Sequence, residues 1–127
     1  MINLEKALAG RRILIVDDLV EARSSLKKMA TILGGGEIDI ATDGIEAMHL
    51  IHENEYDIVL SDYNLGRTKD GQQVLEEARF TDRLRATSLF IVVTGENAID
   101  MVMGALEYDP DGYITKPYTL NMLKERL

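Results

Sequence analysis

The chain has 127 residues, 46% of them apolar, which suits one domain with a single core and leaves too little for a second. A net charge of −8, from 22 acidic against 14 basic side chains, argues against a nucleic-acid-binding surface and against docking on anionic lipid. With no cysteine, neither a disulfide framework nor a thiolate metal site can form.

No stretch approaches the ~20 consecutive apolar residues of a membrane span. The opening "MINLEKALAGRR" is too charged, and its apolar part too short, for a secretory signal. "RILIV" (12–16) is a short, β-branched, continuously apolar run, the pattern of a strand buried on both faces. Helical spacing follows, with Ala22, Leu26, Met29, Ala30 and Leu33 on one face. Three glycines at 34–36 end that helix. They make no phosphate loop, because no Gly-Lys-Ser/Thr follows.

"EIDIAT" (37–42) alternates, with Ile38, Ile40 and Thr42 on one side and Glu37, Asp39 and Ala41 on a wetter one. That pattern predicts a strand at the sheet edge. Asp43-Gly44 opens a second helix carrying Ile45, Met48 and Ile51. "YDIVLSD" (56–62) is the next buried strand, and "DGQQVLEEARF" (70–80) a helix with Gly71, Val74, Leu75 and Ala78 inward. "LFIVVTG" (89–95) is a further buried run. A fourth helix is predicted from about Glu96 to Tyr108, a last strand at "GYITKP" (112–117), and a fifth helix in "YTLNMLKERL". Five βα units in this order predict a parallel sheet with right-handed crossovers and helices on both faces.

The polar residues collect where the strands end. Strand one runs into Asp17-Asp18, strand three into Asp62, strand four into Thr94-Gly95 and strand five into Lys116-Pro117. In open α/β sheets the ligand crevice lies beyond the carboxyl ends, where the strand order reverses. If strand two is an edge beside strand one, the reversal brings Asp17, Asp18 and Asp62 together. Three ionised carboxylates in one place need a counter-charge. A hard divalent cation supplies it, and Mg²⁺ is the usual choice where phosphate is handled. Thr94 offers a hydroxyl, and Lys116 a point charge suited to a phosphate oxygen.

In order and spacing, "ILIVDD", "DIVLSDYNL", "DG" at 70–71, "IVVTG" and "YITKP" resemble the receiver domain of two-component response regulators, of the chemotaxis-regulator kind. The resemblance covers the chain from about Arg11 to Leu127. It implies a single three-layer, doubly wound (βα)5 domain over residues 1–127, flavodoxin-like, with a parallel five-stranded sheet of order 2-1-3-4-5. It implies a phosphorylation-activated signalling switch rather than an enzyme. Asp62 would be the phosphoacceptor, and Asp18, Asp62 and the main-chain carbonyl of Asn64 would hold Mg²⁺, with Asp17 acting largely through a metal-bound water. Thr94 and Lys116 would each meet a phosphoryl oxygen, Gly95 would keep the space beside Thr94 open, and Lys116-Pro117 would be a cis peptide. Tyr113 falls at the family's switch aromatic.

The implied partner is a sensor histidine kinase or a histidine phosphotransfer protein in the cytoplasm. The implied readout is the face of helix four, strand five and helix five, which could also serve a homodimer. No direct nucleic-acid or membrane partner is expected. Two rival functions are weighed against this one: a degenerate receiver binding partners without phosphorylation, and an aspartyl-phosphate phosphatase. Such phosphatases as a class carry an acid/base Asp two residues after a nucleophile on strand one, where "VDDLV" has Leu19.

Two departures stand out. Gly66 occupies a loop position where the family commonly has proline, and the loop "NLGRTKDG" is one residue longer than usual. His49 and His52, one helical turn apart, lack an apparent third ligand. The apolar face Leu120, Leu123 and Leu127 continues to the final residue without a terminator, so the domain is expected to be the receiver portion of a longer chain.

Overall fold

A computed structural model describes residues 10–63, 65, 71–81, 84, 88–95, 111–116 and 119–126, without the side chains of Gln72, Thr94, Thr115 and Arg126. In chain order the elements are β1 (Ile13–Val16), α1 (Val20–Ile32), β2 (Ile38–Ala41), α2 (Gly44–Glu53), β3 (Ile58–Asp62), α3 (Gly71–Phe80), β4 (Leu89–Gly95), β5 (Gly112–Lys116) and a C-terminal helix (Leu120–Arg126). The fourth predicted helix lies outside the described residues, as does the loop at 66–70. All strand pairs are parallel, in the order β2-β1-β3-β4-β5. This is the doubly wound order expected, with the reversal at β1.

Side-chain alternation along the strands splits the core in two. Ile13, Ile15, Ile58, Leu60, Ile91, Val93 and Ile114 pack with Leu26, Ala30 and Leu33 from α1 and Leu123 from the C-terminal helix. Leu14, Val16, Val59, Phe90 and Val92 point the other way, onto Ala47, Met48 and Ile51 of α2 and Val74, Leu75 and Ala78 of α3. The central strands are apolar on both faces because both are covered. Burying a side chain of the Leu or Ile type is worth about 1.5–3 kcal/mol, so this double layer is what anchors the sheet beneath the site.

Local signals set the helix ends. Asp43 caps α2 by accepting the backbone N–H of Glu46 at 2.8 Å. α1 stops where Gly34 turns left-handed (φ +91°), and the N–H of Gly35 closes back on the carbonyl of Ala30 at 2.9 Å. The C-terminal helix opens with Thr119 Oγ1 accepting the N–H of Met122 at 3.2 Å.

Two expectations need correction. Ile45 does not face the core: it is 56% exposed, and Gly44, Ala47, Met48 and Ile51 form the inward stripe of α2. The stripe is set by the 3.6-residue period, which carries position 45 about 100° away from position 44. β2 is an edge strand, and its second face is wet only at the start, where Glu37 is exposed; further along it is covered. Ala41 is fully buried, and Asp39 Oδ2 accepts the Tyr56 hydroxyl at 2.7 Å and Arg12 Nη2 at 3.3 Å. The Arg12 guanidinium also lies over the Tyr56 ring, 5.3 Å from its centre. Burial first, and then the bond to Asp39, push the Tyr56 hydroxyl well above its ordinary pKa. This staple ties the edge strand to its neighbours at the end of the sheet away from the acidic residues. Among the described residues no helix is long and apolar enough to cross a membrane.

Candidate functional site

One face of the sheet passes from apolar to polar in a single step. Ile13 and Ile15 are followed at the next alternate position by Asp17. Ile58 and Leu60 lead likewise to Asp62, Ile91 and Val93 to Gly95, and Ile114 to Lys116. Register puts Val16 beside Ser61, so Asp17 and Asp62 follow side by side on neighbouring strands. Both carboxylates therefore stand directly on the core layer, which explains their burial.

Asp17 is fully buried, Asp62 is 5% exposed, and Asp18 faces solvent. One carboxylate oxygen from each of the three lies within 4.8 Å of the others. Lys116 Nζ donates to Asp62 Oδ2 at 3.0 Å and sits 3.7 Å from Asp17 Oδ2. Asp17 is the most constrained of the three. Its N–H donates to Ala41 O at 3.2 Å, its Oδ1 accepts the Leu19 N–H at 3.0 Å, and its carbonyl accepts Arg23 Nη1 at 2.8 Å. Its Oδ2 is buried without a hydrogen bond among the described residues. Burial raises the Asp17 pKa above the ordinary carboxylate value. The Leu19 N–H and Lys116 oppose that rise, and the charges of Asp62 and Asp18 add to it.

The donor set fits a hard divalent cation. It offers three carboxylates close enough to share one ion, one of them with a buried oxygen that has no hydrogen-bond donor among the described residues. Among the described residues no other group of three metal-ligating side chains gathers in this way. His49 and His52 are both exposed, and His49 Nε2 meets Glu53 Oε1 at 3.3 Å.

The backbone of Asp62 is held from the opposite face. Ser61, fully buried, donates its hydroxyl to the Asp62 carbonyl at 3.0 Å. A Cβ at Gly71, the first residue of α3, would lie 2.5 Å from that same oxygen. The "DG" at 70–71 is thus partly a packing requirement: only glycine lets α3 approach the strand end so closely. Tyr63 continues the strand's bonding, its N–H donating to Val93 O at 2.9 Å and its carbonyl accepting Gly71 N–H at 2.8 Å.

The structure brings together Asp17, Asp18, Asp62 and Lys116. It sets the Thr94 backbone in β4 opposite Thr115. Among the described residues, a Cβ added at Gly95 would meet nothing within 4 Å. Tyr113 is half-buried on β5 and packs against the core layer that faces α2 and α3. Asn64, Pro117 with its expected cis peptide, and the Thr94 side chain lie outside what is described. Sequence reasoning missed Arg23, Ser61 and the reason for Gly71. The arginine carries no motif signal, since its partner is a main-chain carbonyl.

The comparisons agree with this geometry. The family model of the response regulator receiver domain matches residues 13–127. The chain is 32% identical over 117 residues to chemotaxis protein CheY of Pseudomonas aeruginosa, covering 91% of this chain and 92% of that one. It is similar to the response regulator protein TrrA of Thermotoga maritima, solved in complex with Mg²⁺-BeF, at 28% identity and a TM-score of 0.77, with 91% and 95% of the two chains covered. It shares its fold with the chemotaxis response regulator CheY4 of Vibrio cholerae, at 20% identity and a TM-score of 0.81, covering 94% of this chain and all of that one. With a parallel sheet of order 2-1-3-4-5 and a family match spanning nearly its whole length, this chain belongs to the receiver domains of two-component response regulators.

Proposed function

We propose that the domain is a phosphorylation-activated switch in which Asp62 accepts a phosphoryl group from a phosphohistidine on a sensor histidine kinase or histidine phosphotransfer protein. The observation that carries this reading is the buried carboxylate of Asp62 at a strand end, 3.0 Å from the Lys116 ammonium and grouped with Asp17 and Asp18. An Asp62 oxygen attacks phosphorus, the P–N bond breaks, and the electron pair returns to the partner's imidazole. Lys116 then transfers its hydrogen bond from the carboxylate to a phosphoryl oxygen. Phosphoryl transfer needs mainly positioning and charge neutralisation, and both are what this constellation offers.

Asp17, Asp18, Asp62 and the main-chain carbonyl of Asn64 would hold Mg²⁺. Bound there, the cation would offset both the carboxylate charge and the charge on the transferring group. The TrrA relative, solved with Mg²⁺-BeF, supports this assignment. Thr94 would take a second phosphoryl oxygen, Gly95 would leave room for it, and Tyr113 would repack as Thr94 moves. The cis peptide at Pro117 would set the direction of Lys116. The output face would be the fourth and fifth helices with β5, open to a downstream partner or a second copy of the domain. Water attack on the acyl phosphate would reset the switch, so catalysis here is limited to the domain's own phosphorylation state.

The test is incubation with a small phosphodonor and Mg²⁺, followed by intact-mass measurement. One phosphoryl group, labile to hydroxylamine and absent from Asp62→Asn, is the expected result. Failure of the wild-type chain to take up phosphate would favour the degenerate receiver.

A further inference from the structure

We propose that Arg23 is a positioning residue for the acidic pair, holding the Asp17-Asp18 peptide so that the two carboxylates keep their places in the metal site. The proposal rests on the Mg²⁺ reading given above. Arg23 Nη1 donates to the Asp17 carbonyl at 2.8 Å, and Arg23 N donates to Leu19 O at 3.1 Å. The short segment from Asp17 to Leu19 is thereby closed from both sides by one residue in the first turns of α1.

The geometry gives this bond a particular job. Asp17 has its N–H on β2 and its Oδ1 on the Leu19 N–H, so its side chain is fixed from the strand side. The carbonyl of Asp17 belongs to the same rigid peptide plane as the N–H of Asp18. Fixing that carbonyl fixes the direction in which Asp18 leaves the strand. Asp18 is exposed, so its carboxylate has no packed wall to orient it. Without Arg23, the peptide could rotate and carry the Asp18 oxygen away from the other two. Groups that orient metal ligands in this way typically change affinity by about 10–100-fold when removed.

Charge and positioning make opposite predictions, which makes the proposal testable. Arg23 is a cation beside a cation site. If charge alone mattered, removing it would tighten Mg²⁺ binding, and exchanging it for lysine would change little. If positioning dominates, removing it weakens binding despite the lost repulsion.

The experiment is MgCl₂ titration of the whole chain, followed by backbone-amide NMR of residues 17–20, for the wild type, Arg23→Lys and Arg23→Met. Melting temperature is measured without Mg²⁺ alongside. Methionine keeps helix propensity and much of the stem's packing, so α1 should survive. The expected order of affinity is wild type, then Arg23→Lys, then Arg23→Met, with the last about tenfold weaker than the first. Equal or tighter binding in Arg23→Met overturns the proposal. Should Arg23→Met fail to fold, Arg23→Lys carries the test, and affinity at or above wild type overturns it. A wild-type chain that does not respond to Mg²⁺ would instead refute the metal reading itself.

Discussion

Lys116 Nζ bonds Asp62 Oδ2 at 3.0 Å although the two residues lie on strands that are not neighbours. β4 runs between them, and Lys116 pairs in register with Gly95 while Asp62 pairs with Val93. The lysine thus reaches across a whole strand to neutralise a carboxylate standing on the core. Lys116→Met should lower apo stability by about 1–2 kcal/mol. That is less than the figure for a fully buried pair, because the Lys116 side chain is 32% exposed. It should also tighten Mg²⁺ binding, since a competing cation is gone. Urea unfolding and a Mg²⁺ titration check both, and weaker Mg²⁺ binding would contradict the competition.

Asp17 sets a pH dependence of definite sign. Its pKa is raised in the folded state, mainly by burial. Between the ordinary carboxylate value and the raised one, the folded chain binds more protons than the unfolded chain. Stability from this group therefore falls as pH rises through that window, and the loss persists at neutral pH. Asp17→Asn keeps an acceptor for the Leu19 N–H and removes the buried charge. In Mg²⁺-free buffer it should raise the melting temperature by roughly 4 °C for each kcal/mol gained. The gain should disappear below the window, where Asp17 is already neutral. A lower melting temperature at neutral pH would mean that the ion pair with Lys116 outweighs burial.

Gly71→Ala tests the contact beneath the phosphoacceptor. A Cβ there would stand 2.5 Å from the Asp62 carbonyl, with Ser61 Oγ at 3.2 Å, so α3 or the strand end must shift. Overpacking of this kind costs about 1–3 kcal/mol. Because the atom pressed is the backbone of Asp62, Mg²⁺ affinity should fall along with stability. Gly71→Ala with unchanged melting temperature and Mg²⁺ affinity would show that the helix start yields freely.

The gathering of Asp17, Asp62 and Lys116 was legible in the strands themselves, whereas the full strand order came from the family resemblance. Period-2 alternation continues the apolar stripe Ile13-Ile15 into Asp17, Ile58-Leu60 into Asp62 and Ile114 into Lys116, so polar residues at strand ends announced a shared layer. Alternation in β2 also marked the edge correctly. What it could not show was the partner across the strand: Ala41 and Asp39 read as wet because Tyr56 and Arg12, which cover or bond that face, come from other parts of the chain. Ile45 failed for a related reason, since a short helix offers two adjacent apolar stripes and only packing selects one. Arg23 was invisible because a main-chain acceptor leaves no residue type to pair with it.

Gly95 yields the last prediction. Its position continues the stripe Ile91-Val93, so a side chain there would rise on the same face as Asp62 and Lys116, between them. Among the described residues the Cβ itself meets nothing within 4 Å, so their packing does not demand glycine. Gly95→Ala should therefore stay within about 0.5 kcal/mol of wild type. Gly95→Leu is different, because a leucine extends well past its Cβ on the face that carries Asp62 and Lys116, and is expected to crowd the bond between them. It should lose about as much stability as Lys116→Met, through the same broken bond. Two changes that remove one interaction are not additive. In a double-mutant cycle, adding Gly95→Leu to Lys116→Met should therefore cost little more than Lys116→Met alone. A full additive loss, measured by urea unfolding of all four proteins, would show that the leucine acts elsewhere and that Lys116 does not depend on Gly95 for its reach.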